Sequence, residues 1–206
     1  RLDRIADADA REIEATRVAP KLYAAIEGPD TAPEPPSLIQ PGPIETVFLD
    51  LPLLRGDEIP HAPHIAAFSD PWPGAAVYTS VGGDDYRRVL TLDAPATMGR
   101  TLSELPASAP SRWSQTSVDV MLSQGTLLSR NRLTTLAGAN AAALETPAGW
   151  EVFQFRSATL IAPQTYRLTG LLRGQAGTEP LIAAVPIGTR FVLIDDALQQ
   201  LPITDA

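Results

Sequence analysis

Prolines are spread along the whole chain, twenty in 206 residues, about twice the average usage of roughly 5%. Each fixes φ and removes a backbone donor, so long helices are disfavoured almost everywhere. Between the prolines lie short segments of strand periodicity, set off by Gly, Asp and Asn turn signals at a spacing of roughly ten residues. That pattern predicts a mainly β fold, a β-sandwich or barrel-like domain with short strands, long Pro-rich loops and few short helices.

The chain opens on Arg1-Leu-Asp-Arg without an initiator Met, which leads us to expect a piece of a longer polypeptide. Residues 1–23 fit a charged helix or a hairpin turning at Asp7-Ala-Asp-Ala10, and the hairpin is preferred. Residues 1–27 are read as the end of a preceding domain. Gly28-Pro-Asp-Thr-Ala-Pro-Glu-Pro-Pro-Ser37 and Pro41-Gly-Pro43 make residues 28–43 a Pro-rich linker held extended. A β-rich domain is expected over residues 44–206.

Within it, strands are predicted at Glu45–Leu51, His64–Phe68, Gly74–Ser80, Tyr86–Leu92, Ser117–Leu122, Gly149–Phe155 and Ser157–Ala162. The third and fourth form a hairpin across Val81-Gly-Gly-Asp-Asp85. Residues 99–114 read as a long loop. Leu133–Leu144 is left open between a helical turn and two short strands. Tyr166–Leu172 alternates as a strand, Arg173-Gly174 to Ala176-Gly177 supplies turn chemistry, and a second strand is expected to follow, with Arg173 and Glu179 pairing across the turn. Arg173, Gly174, Gly177 and Glu179 are therefore structural turn residues, and Arg173→Ala is expected to reduce stability or assembly.

Composition excludes several function classes. Zero cysteines remove disulfides, thiolate metal sites and a Cys nucleophile together. A net charge of −8 with a single lysine, Lys21, argues against specific nucleic-acid binding, which needs clustered cations. No run approaches the ~20 apolar residues of a membrane-spanning helix. His61 and His64, in His-Ala-Pro-His, are the only imidazoles. The intervening Pro prevents their joint presentation on a helix, so a solvated turn is preferred to a metal site. No Gly-x-Ser-x-Gly elbow accompanies them.

Asp84-Asp85, Glu151 and Asp195-Asp196 could supply a glycosidase carboxylate pair, yet turn and strand-end roles account for them better. Gly82-Gly83 and Gly174–Gly177 precede no helix and no Walker lysine, so they are turns and no cofactor is assigned. Trp72, Tyr78 and Trp113 are candidate contacts for a partner or a glycan, weighed against capping of the core.

Leu168-Thr-Gly-Leu-Leu-Arg-Gly-Gln-Ala-Gly-Thr-Glu179 with Gly188-Thr-Arg-Phe-Val-Leu-Ile-Asp195 resembles the C-terminal region of large tail-tip proteins of phages and gene transfer agents. Leu128–Leu144, Gly149–Phe155 and Trp72–Ser80 are similar to the same proteins, and Ile13–Tyr23 to the end of their preceding hub domain. The resemblance implies a baseplate hub, or megatron, whose glycoside-hydrolase-like TIM barrel would lie upstream, since eight βα units do not fit here. It implies a distal, non-enzymatic, structural part of a phage-like particle. That part would be assembled in the bacterial cytoplasm as a homotrimer about the tail axis, would contact other tail and baseplate proteins, and would reach a host cell-surface glycan. It carries over no catalytic residue.

Overall fold

In the computed structural model, residues 2–7, 10–17, 40–110 and 112–203 are described. The chain divides into two units, Arg1–Leu38 and Ile39–Ala206. In the first, β1 (Leu2–Asp7) and β2 (Arg11–Ala15) pair antiparallel with Ile5 opposite Ile13. Residues 28–39 of the expected linker, and Val18–Tyr23 of the hub-like segment, lie outside the described residues.

The second unit is mainly β, and its largest part is a barrel. Six strands close on themselves in the order β10-β11-β8-β7-β12-β9, every neighbouring pair antiparallel. They are β7 (Met98–Thr101), β8 (Trp113–Leu122), β9 (Ala141–Thr146), β10 (Gly149–Ala162), β11 (Thr165–Gln175) and β12 (Arg190–Leu193). Closure removes the unpaired edges that an open sheet would present. Period-2 alternation fills the interior with Val118, Val120 and Leu122 of β8, Leu144 of β9, Phe153 and Phe155 of β10, Leu168 and Leu171 of β11, and Phe191 of β12. Phe191 meets Phe153 edge-on at 6.2 Å between ring centroids, within the range where aromatic pairs attract.

Alternate residues of the same strands point outward and are also buried. Met98, Ala143, Trp150 and Val192 form a second cluster with Val47 and Leu49 of β3 (Glu45–Leu49) and Ala66 of β4 (His64–Phe68). β3, β4 and the short β13 (Gln199–Gln200) make a three-stranded sheet with β4 in the middle. The other face of β4 turns Ile65 and Ala67 into a third cluster, with Leu92 of β6 (Arg87–Leu92) and half-buried Val77 of β5 (Ala75–Thr79). A strand covered on both faces needs a continuous apolar run, which is what Ile-Ala-Ala-Phe supplies.

Two expectations are corrected. Residues 99–114 are not one long loop: β7 reaches Thr101, Leu105 bridges to Val185, and β8 begins at Trp113. Gly99 is required by close approach, since a Cβ there would sit 2.2 Å from the carbonyl oxygen of Met121 on β8. Arg173-Gly174 is not a hairpin turn either. β11 runs through both residues to Gln175, where Val152 and Gln154 of β10 face Gln175 and Leu172, one extra residue on β11. This is a β-bulge, and Gly174 takes its φ of +61°. The chain turns afterwards at Ala176 and Gly177 (φ 54° and 84°) and enters a single 3-10 turn at Glu179–Leu181 rather than a strand. The open segment Leu133–Leu144 resolves into one element of each kind, α1 (Arg132–Leu136) and β9.

Gly99→Ala is expected to reduce stability by about 3 kcal/mol or more, because backbone meets the new methyl. Gly177→Ala, whose methyl would meet nothing within 4 Å, is expected to reduce it by only about 1 kcal/mol. Urea unfolding of both variants beside the parent checks the ordering.

Candidate functional site

The strongest polar constellation lies at one mouth of the barrel. Glu151 shares the face of Phe153 and Phe155, and Arg173 shares that of Leu171, so alternation points both inward where β10 begins and β11 ends. Both side chains are 0% exposed. Arg173 Nε and Nη2 donate to Glu151 Oε1 and Oε2, each at 2.5 Å, in the two-pronged geometry that suits guanidinium and carboxylate. Nη1 also donates to the Pro106 carbonyl at 3.1 Å, Nη2 to that of Ala183 at 2.9 Å, and the Gly174 N–H to Glu151 Oε1 at 3.1 Å. One guanidinium thus ties β10 and β11 to both loops joined by the Leu105–Val185 bridge.

The expected partner of Arg173 is accordingly corrected from Glu179 to Glu151. Glu179 is exposed and contributes its backbone: its Cα would lie 2.8 Å from a Cβ on Gly174, so only glycine fits in the bulge. Thr178 completes the turn. Its hydroxyl donates to the Gln175 carbonyl at 2.7 Å and accepts from Val152 N–H at 3.0 Å. Both charges of the pair are thus held by partners from the chain itself.

His61 and His64 part company. His61 is exposed with φ 71°. His64, expected in a solvated turn, is instead buried at the start of β4, its Nε2 3.6 Å from Glu58 Oε1. His64 and Glu58 line a cleft of about 250 Å³ with Asp195. Glu58 accepts from the N–H groups of Leu54 and Arg55, and Asp195 Oδ1 accepts from Ala197 N–H at 3.0 Å, so each carboxylate organises its own loop. Burial pushes Asp195 above the ordinary carboxyl range. Burial also pushes His64 below the ordinary imidazole value, and Glu58 only partly opposes it. Protonation would leave Nδ1, which is buried without a hydrogen-bond partner, with an unsatisfied N–H. Gln200 seals the floor, exchanging bonds with Ile59 N–H and C=O at 2.8 and 2.9 Å. Asp196 points outward, 3.6 Å from Arg55, and Asp84-Asp85 lie exposed in the β5–β6 connection beside Gly82-Gly83. Among the described residues, no group of three His, Asp or Glu side chains is placed to hold a metal ion.

The three candidate aromatics are not brought together. Trp72 is half-buried on the third core cluster, its indole N–H donating to the Asp93 carbonyl at 3.1 Å. Tyr78 is 55% exposed on β5. Trp113, at the start of β8, walls a separate cleft of about 300 Å³ with Gln115, Arg132, Arg156 and Thr169. Arg132 Cζ lies 5.7 Å from the Trp113 ring centroid, a cation–π distance. Sequence reasoning missed Arg132 and Arg156 because they lie 24 residues apart and acquire a common purpose only when α1 and β10 meet beside β8. The sole local hint was Arg112 next to Trp113.

Residues 96–192 match a family model described as Rcc01698-like, C-terminal. The matched segment starts two residues before β7 and ends within β12, so it is coextensive with the closed barrel and contains Glu151, Arg173 and the Trp113 cleft. No match was found among curated proteins.

Arg173→Ala and Glu151→Ala are each expected to reduce stability by about 3–5 kcal/mol, since each strands a buried charge. The double variant is expected to lose well under the sum, and denaturant unfolding across the cycle measures the difference. For His64, a folded-state value below the ordinary one of about 6.5 means that the unfolded chain binds the proton more readily. The contribution is complete above that pH and is lost as pH falls through the folded value. The melting temperature should therefore drop from pH 7 to pH 5 more steeply in the parent than in His64→Gln.

Proposed function

We propose that this chain is a structural component of the distal tail tip, or baseplate hub, of a phage-like particle such as a gene transfer agent. It would act in assembly and in contact with the host surface, as three copies about the tail axis beside other tail proteins. The observation that carries the reading is the apolar surface left over once three cores are filled. Tyr78 and Tyr86 (66% exposed) stand with Val81 on the β5–β6 hairpin, and Leu133 (79% exposed) with Leu136 on α1. A small β protein that leaves these groups in water is suited to docking against neighbours.

Other features support the same reading. The closed barrel offers no edge for strand addition, so the open edges of the second unit are confined to the β5–β6 pair and the β13-β4-β3 sheet. The residues that resemble the tail-tip proteins, Leu168–Glu179, form β11 and its bulge, including the buried Arg173. Net charge of −8 suits a part past which DNA moves without sticking. The polar groups best ordered in the fold hold backbone together, which favours a role in architecture over turnover.

Deleting residues 44–206 in a particle-producing host should leave no normal tail tips in electron micrographs, and normal tips would overturn the proposal. Tyr78→Ala/Tyr86→Ala should melt within a few degrees of the parent yet yield fewer complete tips. The purified chain should release no reducing ends or muropeptides from polysaccharide or peptidoglycan, and steady release would replace the structural reading with a hydrolytic one.

A further inference from the structure

The cleft beside Trp113 has a composition unlike the rest of the surface. In a chain of net charge −8, Arg132 and Arg156 both line it. Arg112 precedes Trp113 directly, and the Arg130 N–H donates to the Arg156 carbonyl at 2.8 Å. None of these four arginines forms an ion pair with a carboxylate among the described residues, a condition they share with Arg87 and Arg88 on β6 and in contrast to Arg100, Arg167, Arg173 and Arg190. Of the four, Arg132 and Arg156 line the cleft itself, and an anionic ligand would supply the counter-charge that both lack.

The remaining walls narrow the choice of anion. Trp113 supplies a half-buried indole, with the Arg132 guanidinium over its ring. The Gln115 amide and the Thr169 hydroxyl line the same space and form no side-chain hydrogen bond among the described residues. Gly170, in the second bulge of β11 with φ 62°, lets the Arg156 side chain lie close: a Cβ there would come within 3.0 Å of Arg156 Cβ. The cleft thus offers two forks for a carboxylate, uncharged groups for hydroxyls, and an aromatic wall for the apolar side of a sugar ring. A volume of about 300 Å³ accommodates a short saccharide segment.

We infer that this cleft binds a carboxylated saccharide, a uronic-acid unit within a surface polysaccharide, with Arg132 and Arg156 on the carboxylate, Gln115 and Thr169 on the hydroxyls, and Trp113 against the ring. Inorganic phosphate would engage only the arginines, and a neutral sugar only the other walls. The inference goes beyond the tail-tip reading and is independent of it, since the purified chain suffices to test it.

Isothermal titration at low salt with a tetrasaccharide of alternating glucuronate and N-acetylglucosamine is the experiment. The whole chain should bind it with a millimolar or tighter Kd. The carboxyl-reduced, neutral tetrasaccharide and inorganic phosphate should each bind at least about tenfold more weakly. Arg132→Gln and Arg156→Gln, both at exposed positions, should keep the parent's melting temperature while each weakens binding about tenfold, the scale of a lost charge-assisted contact. The double variant should show no heat. No binding at millimolar ligand would overturn the inference. So would equal affinity for the neutral tetrasaccharide, equal affinity for phosphate (an anion site without sugar recognition), or undiminished binding by the double variant.

Discussion

The Arg173–Glu151 pair at the mouth of the barrel is the contact on which the second unit's architecture converges. Taking both charges out of water carries a desolvation penalty of several kcal/mol per ion, offset only when geometry is good and the remaining donors are filled. Both conditions hold. The carboxylate receives two guanidinium bonds and the Gly174 N–H, and the guanidinium's other bonds reach Pro106 and Ala183. A hydrophobic plug could fill the same volume, but it would not fix which carbonyls the crossing loops present. The pair thereby specifies the register of the β10–β11 bulge and the path of two loops at once.

From that end, the layers follow by alternation. Inward residues of the barrel strands make the first core, and outward ones make half of the second. β3 and one face of β4 complete much of the second, and the other face of β4 enters the third. Small side chains mark the close approaches, Ala143 and Ala66 between barrel and sheet and Gly99 under Met121. Rigid β layers with chosen apolar groups outside them suit a part whose function is to be assembled and to present a surface. On that surface Arg132 and Arg156 flank Trp113 in one cleft without a carboxylate partner among the described residues.

Much of the strand inventory was legible because its signals are local. His64–Phe68 was read to the residue, the β5–β6 hairpin to within one, and Gly149–Ala162 merely fused two adjacent segments into one strand. Errors fell where loop-forming residues served a sheet. Pro106, Pro110 and the serines of 99–114 hid β7 and the start of β8, and Gly174 permits a bulge inside a strand yet looks like turn chemistry when only neighbours along the chain are visible. The partner of Arg173 and the burial of His64 were misjudged for a related reason. Acidic residues and imidazoles are surface groups by default, and nothing adjacent in sequence announced that the fold would bury and pair them.

By itself, then, the sequence determined a mainly β protein stabilised by packing rather than cross-links, since proline spacing and period-2 alternation act over a few residues and no cysteine is present. Tertiary structure alone decided that six strands close into a barrel and that Arg173 pairs with a residue 22 positions away while binding a carbonyl 67 away. It also decided that Arg132 and Arg156 meet beside Trp113. Strand order and partner choice depend on which distant surfaces bury each other, and a local pattern constrains the faces of a strand but not its neighbours.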